Sequence, residues 1–256
     1  MPENVTSKNV TLVRAMRVLD LFRDHEQLSL SEIAARSGLP KTTVFRMVSA
    51  LVDMGFLTRD AGGAYRLGLR FLEFGWLVAE RLDLRRVALP VMQALRDEVG
   101  DAVNLVVRDG TEAIYIEKVE ALHPVRVYTR IGRRAPLYAG ACPRILLAYL
   151  PDSEQERYLH HVTLTPIGAG TITDPQRLRA MLRETRQCGY TISHSELETG
   201  SSAVAAPVFD HTGQVVAGLS VAGPEAHYAP DALPGLIDKV KRAAADISRR
   251  LGWQGG

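Results

Sequence analysis

Long apolar runs are missing from this sequence: no stretch approaches the roughly 18 consecutive apolar residues that a membrane-spanning helix needs, so no membrane partner is expected. Cysteine is scarce. Cys142 and Cys188 are the only two, too few and too far apart for a disulfide framework or a CxxC metal site, which points to a reducing, cytoplasmic setting. The first residues, MPENVTSKNVT, lack the basic-then-apolar order of a secretory signal. Gly-rich phosphate loops, GxSxG and HExxH are all absent, and the seven histidines show no metal-ligand spacing, so no cofactor, metal or catalytic residue is expected. A large charge excess is lacking too, the net being +2, but that small excess is unevenly placed. Residues 1–70 hold ten Lys and Arg against seven Asp and Glu, a net of +3, while the remaining 21 and 22 give −1. What is present is ordinary core material: 46% of the 256 residues are hydrophobic, enough for two modest domains.

The basic excess coincides with a motif. Thr11 to Phe22 places Leu12, Ala15, Met16, Leu19 and Phe22 at helical spacing. LSLSEIAARSG follows, with Ser29 and Glu32 at capping-box spacing and Gly38 positioned to end a short helix. A second, longer helix is predicted from about Pro40 to Met54, with Pro40 tolerated near the first turn. Val44, Met47, Val48, Leu51 and Met54 form its apolar stripe. A short helix, a Gly-containing turn and a longer helix make a helix-turn-helix. Off the stripe lie Lys41, Thr42, Thr43, Phe45, Arg46 and Ser49, with Ser31 on the preceding helix: hydroxyls and cations that suit phosphates and base edges, and a ring that suits a thymine methyl or the wing. FLTRDAGGAYRLG then reads as a β-hairpin wing around residues 60–63, with Arg59 and Arg66 suited to phosphate contact. These features predict sequence-specific DNA binding by residues 1–68.

A connecting helix is predicted at about 69–82, with Leu72, Trp76, Leu77 and Leu82 more apolar than a solvated linker would carry, and Pro90 interrupting the helical pattern beyond it. The linker as a whole is placed at residues 69–86, and a second domain at 87–256. From Asp101 the period shortens: two strands meet at Asp109-Gly110, and VRVYTRIG reads as a third. Short helices flank Pro151. DPQRLRAMLRETRQCGY is an amphipathic helix with Asp174 as N-cap and Gly189 as its end. YTISHSE, SAVAAPVFD and QVVAGLSVA read as strands, and a last helix covers about Asp231 to Leu251. Strands, then helices, then more strands indicate an α+β domain with a mainly antiparallel sheet.

The stretches RAMRVLDLF, LSLSEIAARSGLPKTTVFRMVSALVDMGFL, YRLGLRFLEFG, IGRRAPLYAGA, GYTISHSELETGSSAVAAPVFD and VAGLSVAGP resemble, in order and spacing, the IclR family of bacterial transcriptional regulators. The resemblance covers nearly the whole chain. It implies a two-domain α+β protein: an N-terminal winged helix-turn-helix, a linker helix and a GAF-like effector-binding domain. It also implies a homodimer or homotetramer on double-stranded operator DNA, controlled by a small-molecule effector such as an organic acid or another catabolite. Carried over by motif, the effector site falls on Gly140 and Ala141 as backbone donors, with Cys142 beside them, and on Ser193, Ala203 and Ser220. Many members have His-Ala-Thr-Ala-Leu-Gly-Lys-Ala where this chain has residues 138–145, so Tyr138 and Arg144 are expected to add bulk or charge at the site's edge, and Pro143 to remove an N–H. A rival reading is an enzyme that pairs Cys142 with His160 or His161, against which a buried, inert Cys142 is expected from its apolar surroundings.

Overall fold

The computed structural model describes residues 9–81, 83–123 and 129–255, and the chain divides into two units, Met1–Arg81 and Leu82–Gly256. The first unit runs α1 (Val10–Asp20), a single 3₁₀ turn (Leu21–Arg23), α2 (Leu30–Ser37), α3 (Lys41–Asp53), β1 (Leu57–Arg59), β2 (Tyr65–Leu67) and α4 (Arg70–Arg81). Its local signals are readable as chemistry. Ser29 Oγ accepts from the Glu32 N–H at 3.3 Å while Glu32 Oε2 accepts from the Ser29 N–H at 2.8 Å, a reciprocal capping box that starts α2. Those bonds from Ser29, backbone first, hold the Glu32 carboxyl below its ordinary pKa. Gly38 ends the helix at φ 68°, and its N–H reaches Ala34 O at 3.1 Å.

Three expectations shift. Pro40 is the N-cap of α3 rather than a residue of its first turn, and its carbonyl accepts from Val44 N at 3.0 Å. Met54 is the C-cap and is 51% exposed, because the helix stops at Asp53 and the stripe with it. In α1 the buried face begins only at Val18; Leu12 and Met16 stay 61% and 51% exposed. The core is built from Val18, Leu19 and Phe22, Ile33, Val44, Val48 and Leu51, with Leu57 and Tyr65 from the wing. Burial of each aliphatic side chain contributes about 1.5–3 kcal/mol. Strands β1 and β2 pair antiparallel, and Leu28 bridges to Tyr65, which ties the wing to the segment before α2.

The second unit begins with α5 (Asp83–Val99), which runs straight through Pro90. Pro90 lies on the exposed face of α5, so the carbonyl left unbonded by its missing N–H can turn to water instead of breaking the helix. Next come β3 (Ala102–Asp109), β4 (Glu112–Val119), β5 (Arg134–Pro136), α6 (Ala141–Ala148), α7 (Asp152–His161), α8 (Pro175–Cys188), β6 (Thr191–His194), β7 (Ser201–Phe209), β8 (Val215–Pro224), a 3₁₀ turn (Glu225–Tyr228) and α9 (Leu233–Arg250). Of the strand expected at 125–132, residues 125–128 fall outside the described residues and 129–132 are coil and turn. The edge strand is β5 instead, two residues further on, paired with β4 through Ala113 and Ala135.

The sheet order is β5-β4-β3-β8-β7-β6, with every neighbouring pair antiparallel. The period of two divides its side chains between faces. Val103, Leu105, Val204, Val208, Leu219 and Val221 pack on α5 and α9; Val106, Tyr115 and Ala205 belong to the core under α6 and α8. The arrangement is α+β, helices covering both faces of an antiparallel sheet.

Candidate DNA-binding surface and effector cavity

The apolar stripe of α3 fixes which residues it presents outward. With Val44 and Val48 fully buried and Met47 and Leu51 nearly so, Lys41, Thr42, Phe45 and Arg46 are left exposed, and Thr43 and Ser49 half-buried at the edges. Phe45 is 49% exposed, so it does not pack into the wing's core. Ser31 is exposed in the first turn of α2. On the wing, the Asp60 side chain closes the turn by accepting from Ala64 N at 2.9 Å. Arg59 lies 5.5 Å over the Tyr65 ring; Arg66 donates from Nε to Gln27 Oε1 at 3.2 Å and stands 3.9 Å from Asp60. Both arginines are exposed and braced from below, which leaves guanidinium donors for phosphate oxygens.

In the second unit, strand register assembles the other site. Ser193 stands opposite Ala203, which stands opposite Ala222; one row along, Ala205, Ser220 and Asn104 lie side by side. The N-terminus of α6 lies over this patch. It comes close because Gly218 has no side chain: a Cβ there would sit 3.1 Å from Cys142 O and Sγ. Gly140, the N-cap, has φ 86°, and a Cβ on it would lie 2.7 Å from Leu197 Cδ1, so the loop geometry requires glycine. Between sheet and helix is a cavity of about 40 Å³, and all six residues expected at an effector site, Gly140, Ala141, Cys142, Ser193, Ala203 and Ser220, line it.

Several details differ from expectation. The Gly140 N–H is already committed, donating to Glu196 Oε2 at 2.8 Å. Arg144 does not edge the cavity; it is fully buried beneath it, paired through Nη2 with Glu196 Oε1 and donating from Nη1 to Ile192 O at 3.0 Å and Thr191 Oγ1 at 3.2 Å. Removing two charges from water is costly, and these bonds offset part of that cost, although Arg144 Nε has no partner among the described residues. Tyr138 is also buried, its hydroxyl donating to Thr165 O at 2.9 Å, and it is not among the lining residues. The cavity contains residues the sequence reading did not single out: Asn104, Tyr115, Arg133, Glu196 and Glu198 among them. Arg133 and Glu198 face each other at 2.6 Å. Asn104 was legible in principle, as one amide set in the apolar run AVNLVV.

The arrangement lacks what the enzyme reading needs. Burial pushes the Cys142 thiol up to about 12, against the opposing effect of a hydrogen bond with Ser220, so it carries no nucleophilic thiolate near neutral pH. His160 and His161 end α7 and line other surface grooves, away from the cavity that contains Cys142. The largest of these grooves, about 790 Å³, runs past Arg108, Glu154 and His161 and includes none of the residues expected at the effector site. No group of three or more metal-ligating side chains occurs among the described residues, nor any helix long and apolar enough to cross a membrane.

A helix-turn-helix with a wing, joined in one chain to a sheet-and-helix domain enclosing a polar cavity, defines a DNA-binding transcriptional regulator rather than an enzyme. The chain matches the IclR helix-turn-helix domain over residues 11–61 and the bacterial transcriptional regulator IclR C-terminal domain over 77–249. It is 55% identical to the HTH-type transcriptional regulator KipR of Bacillus subtilis, over 96% of this chain and 99% of that protein. The crystal structure of Thermotoga maritima IclR superposes with a TM-score of 0.79 at 32% identity, covering 95% of this chain and 99% of that one. An IclR homolog from Microbacterium hydrocarbonoxydans, solved in complex with 4-hydroxybenzoate, gives a TM-score of 0.83 at 30% identity, covering 94% and 98%. The chain belongs to the IclR family of bacterial transcriptional regulators.

Proposed function

We propose that this regulator acts in the cytoplasm as a homodimer or homotetramer on double-stranded operator DNA, and that a small organic acid or related catabolite, bound under α6, changes its operator affinity. Residues 1–68 would form the DNA-binding domain, 69–86 the linker and 87–256 the effector domain. The observation that carries the proposal is the convergence of Gly140, Ala141, Cys142, Ser193, Ala203 and Ser220 on one cavity, although they come from four separate segments of the chain. Buried hydroxyls and helix-terminal amides among apolar walls fix a ligand's polar end while the walls hold its body. The complex of the M. hydrocarbonoxydans homolog with 4-hydroxybenzoate supports an aromatic or aliphatic acid as the class. Lys41, Thr42, Thr43, Phe45, Arg46 and Ser49 would face the major groove, with Ser31, Arg59 and Arg66 on the flanking backbone. Self-association is supported by apolar side chains that this chain leaves in water: Leu72 at 70% and Trp76 at 60% on α4, and Leu12 and Met16 on α1. An effector that binds one arrangement of the subunits better than another then shifts operator affinity by linkage.

The test is fluorescence anisotropy of the protein on the intergenic DNA upstream of its own gene, repeated with organic acids selected by a thermal-shift screen. An acid that shifts the wild-type Kd should have no effect on Ser220→Leu and Ala203→Trp, which fill the cavity, while their effector-free DNA affinity stays at the wild-type value. A response that survives in both variants would place the effector elsewhere.

A further inference from the structure

We infer that Asn104 is the residue that selects the effector, and that the effector carries an O–H or N–H donor which Asn104 Oδ1 accepts. This rests on the reading of the cavity as the effector site. Asn104 is 1% exposed and lies on β3 between the fully buried Val103 and Leu105. Asn104 is among the residues that line the cavity, directly opposite Ser220 in the sheet, and its buried Oδ1 has no hydrogen-bond partner among the described residues. A buried acceptor left without a donor is costly, and native interiors rarely keep one without a reason. A bound molecule that donates to it supplies the reason.

The neighbouring groups give the ligand its orientation. Both carboxylates in the cavity wall are engaged: Glu196 accepts from the Gly140 N–H and pairs with the buried Arg144, and Glu198 pairs with Arg133. A ligand carboxylate set against Asn104 Oδ1 would oppose acceptor to acceptor, so the acid end of an effector points away from the floor of the sheet. The end that rests on β3 and β8 is a donor. A site of this kind discriminates sharply, because the analogue lacking the donor leaves the buried oxygen unpaired.

The test uses isothermal titration calorimetry on the full-length protein with three matched pairs of acids: glycolate and acetate, lactate and propionate, 4-hydroxybenzoate and benzoate. In at least one pair the hydroxy acid should bind wild type roughly tenfold or more tightly than its partner. Asn104→Leu, close in volume but without an acceptor, should reduce that ratio to within about twofold. Asn104→Asp, which keeps an acceptor, should preserve the preference. Ligand-free Asn104→Leu should melt no lower than wild type, since the oxygen it removes has no partner; a purely structural asparagine would lower the melting temperature when replaced. Equal binding of both members in every pair, or a ratio that survives in Asn104→Leu, overturns the proposal. Failure of every hydroxy acid to bind wild type overturns it as well, and the anisotropy response of Ser220→Leu then reports separately whether the cavity is the effector site.

Discussion

Two thiols in this chain have opposite surroundings, and they show how far a residue's chemistry can be read before its environment is known. Cys188 is exposed at the end of α8, whereas Cys142 is buried in the first turn of α6, where burial raises its pKa to about 12. The neutral thiol is therefore favoured throughout the physiological range. Titration of the native protein with a chromogenic disulfide reagent near pH 8 should release one equivalent quickly, from Cys188, and the second only after unfolding; two rapid equivalents would contradict the burial of Cys142. The apolar run around Cys142 made its inertness legible. The fate of Arg144 was not legible, because its partner Glu196 lies 52 residues away and nothing local says which way a long side chain will turn. Asn104 stands out as an amide in an apolar run, but its significance depends on what β8 places opposite it, and pairing across strands distant in sequence is invisible along the chain.

At the scale of elements, helix ends were the most legible features, since caps are local chemistry. Ser29 with Glu32, Asp174 and Gly189 all act where the sequence placed them. Ser29→Ala should lower the stability of the first unit by about 1 kcal/mol, measured by chemical denaturation. The capping box also has a pH signature. The Glu32 pKa is lowered in the folded state, so its stabilisation is complete above the unfolded carboxylate pKa and is lost as pH falls through the folded value. The melting-temperature gap between wild type and Glu32→Ala should therefore shrink between pH 7 and about pH 3; an unchanged gap would mean that the carboxylate is not the active group. Elements with weak local signals moved. Pro90 did not interrupt α5, because a proline on an exposed helix face need not end a helix that packing holds. The edge strand proved to be β5, three residues long and set by pairing with β4, not the apolar-polar alternation before it.

At the scale of the whole molecule, the division of labour follows the division of charge and polarity. The first 70 residues hold the basic excess and the exposed outer face of α3, while the second unit encloses the polar cavity. Nearly every element of that architecture was legible, because hydrophobic period and caps define elements and the order of motifs matches one family throughout. The rest of the cavity lining was not, because Asn104, Arg133, Glu196 and Glu198 come together with the six expected residues only after the sheet has formed.

We propose that α3 reads DNA. The affinity of wild type and Arg46→Ala for the intergenic DNA upstream of the gene, measured by gel shift at two salt concentrations, tests this most directly. Wild type should form a saturable complex that weakens as salt rises. Arg46→Ala should bind about tenfold or more weakly, with an unchanged melting temperature. Absence of any retarded complex at low salt, or binding by Arg46→Ala as tight as wild type, would contradict it.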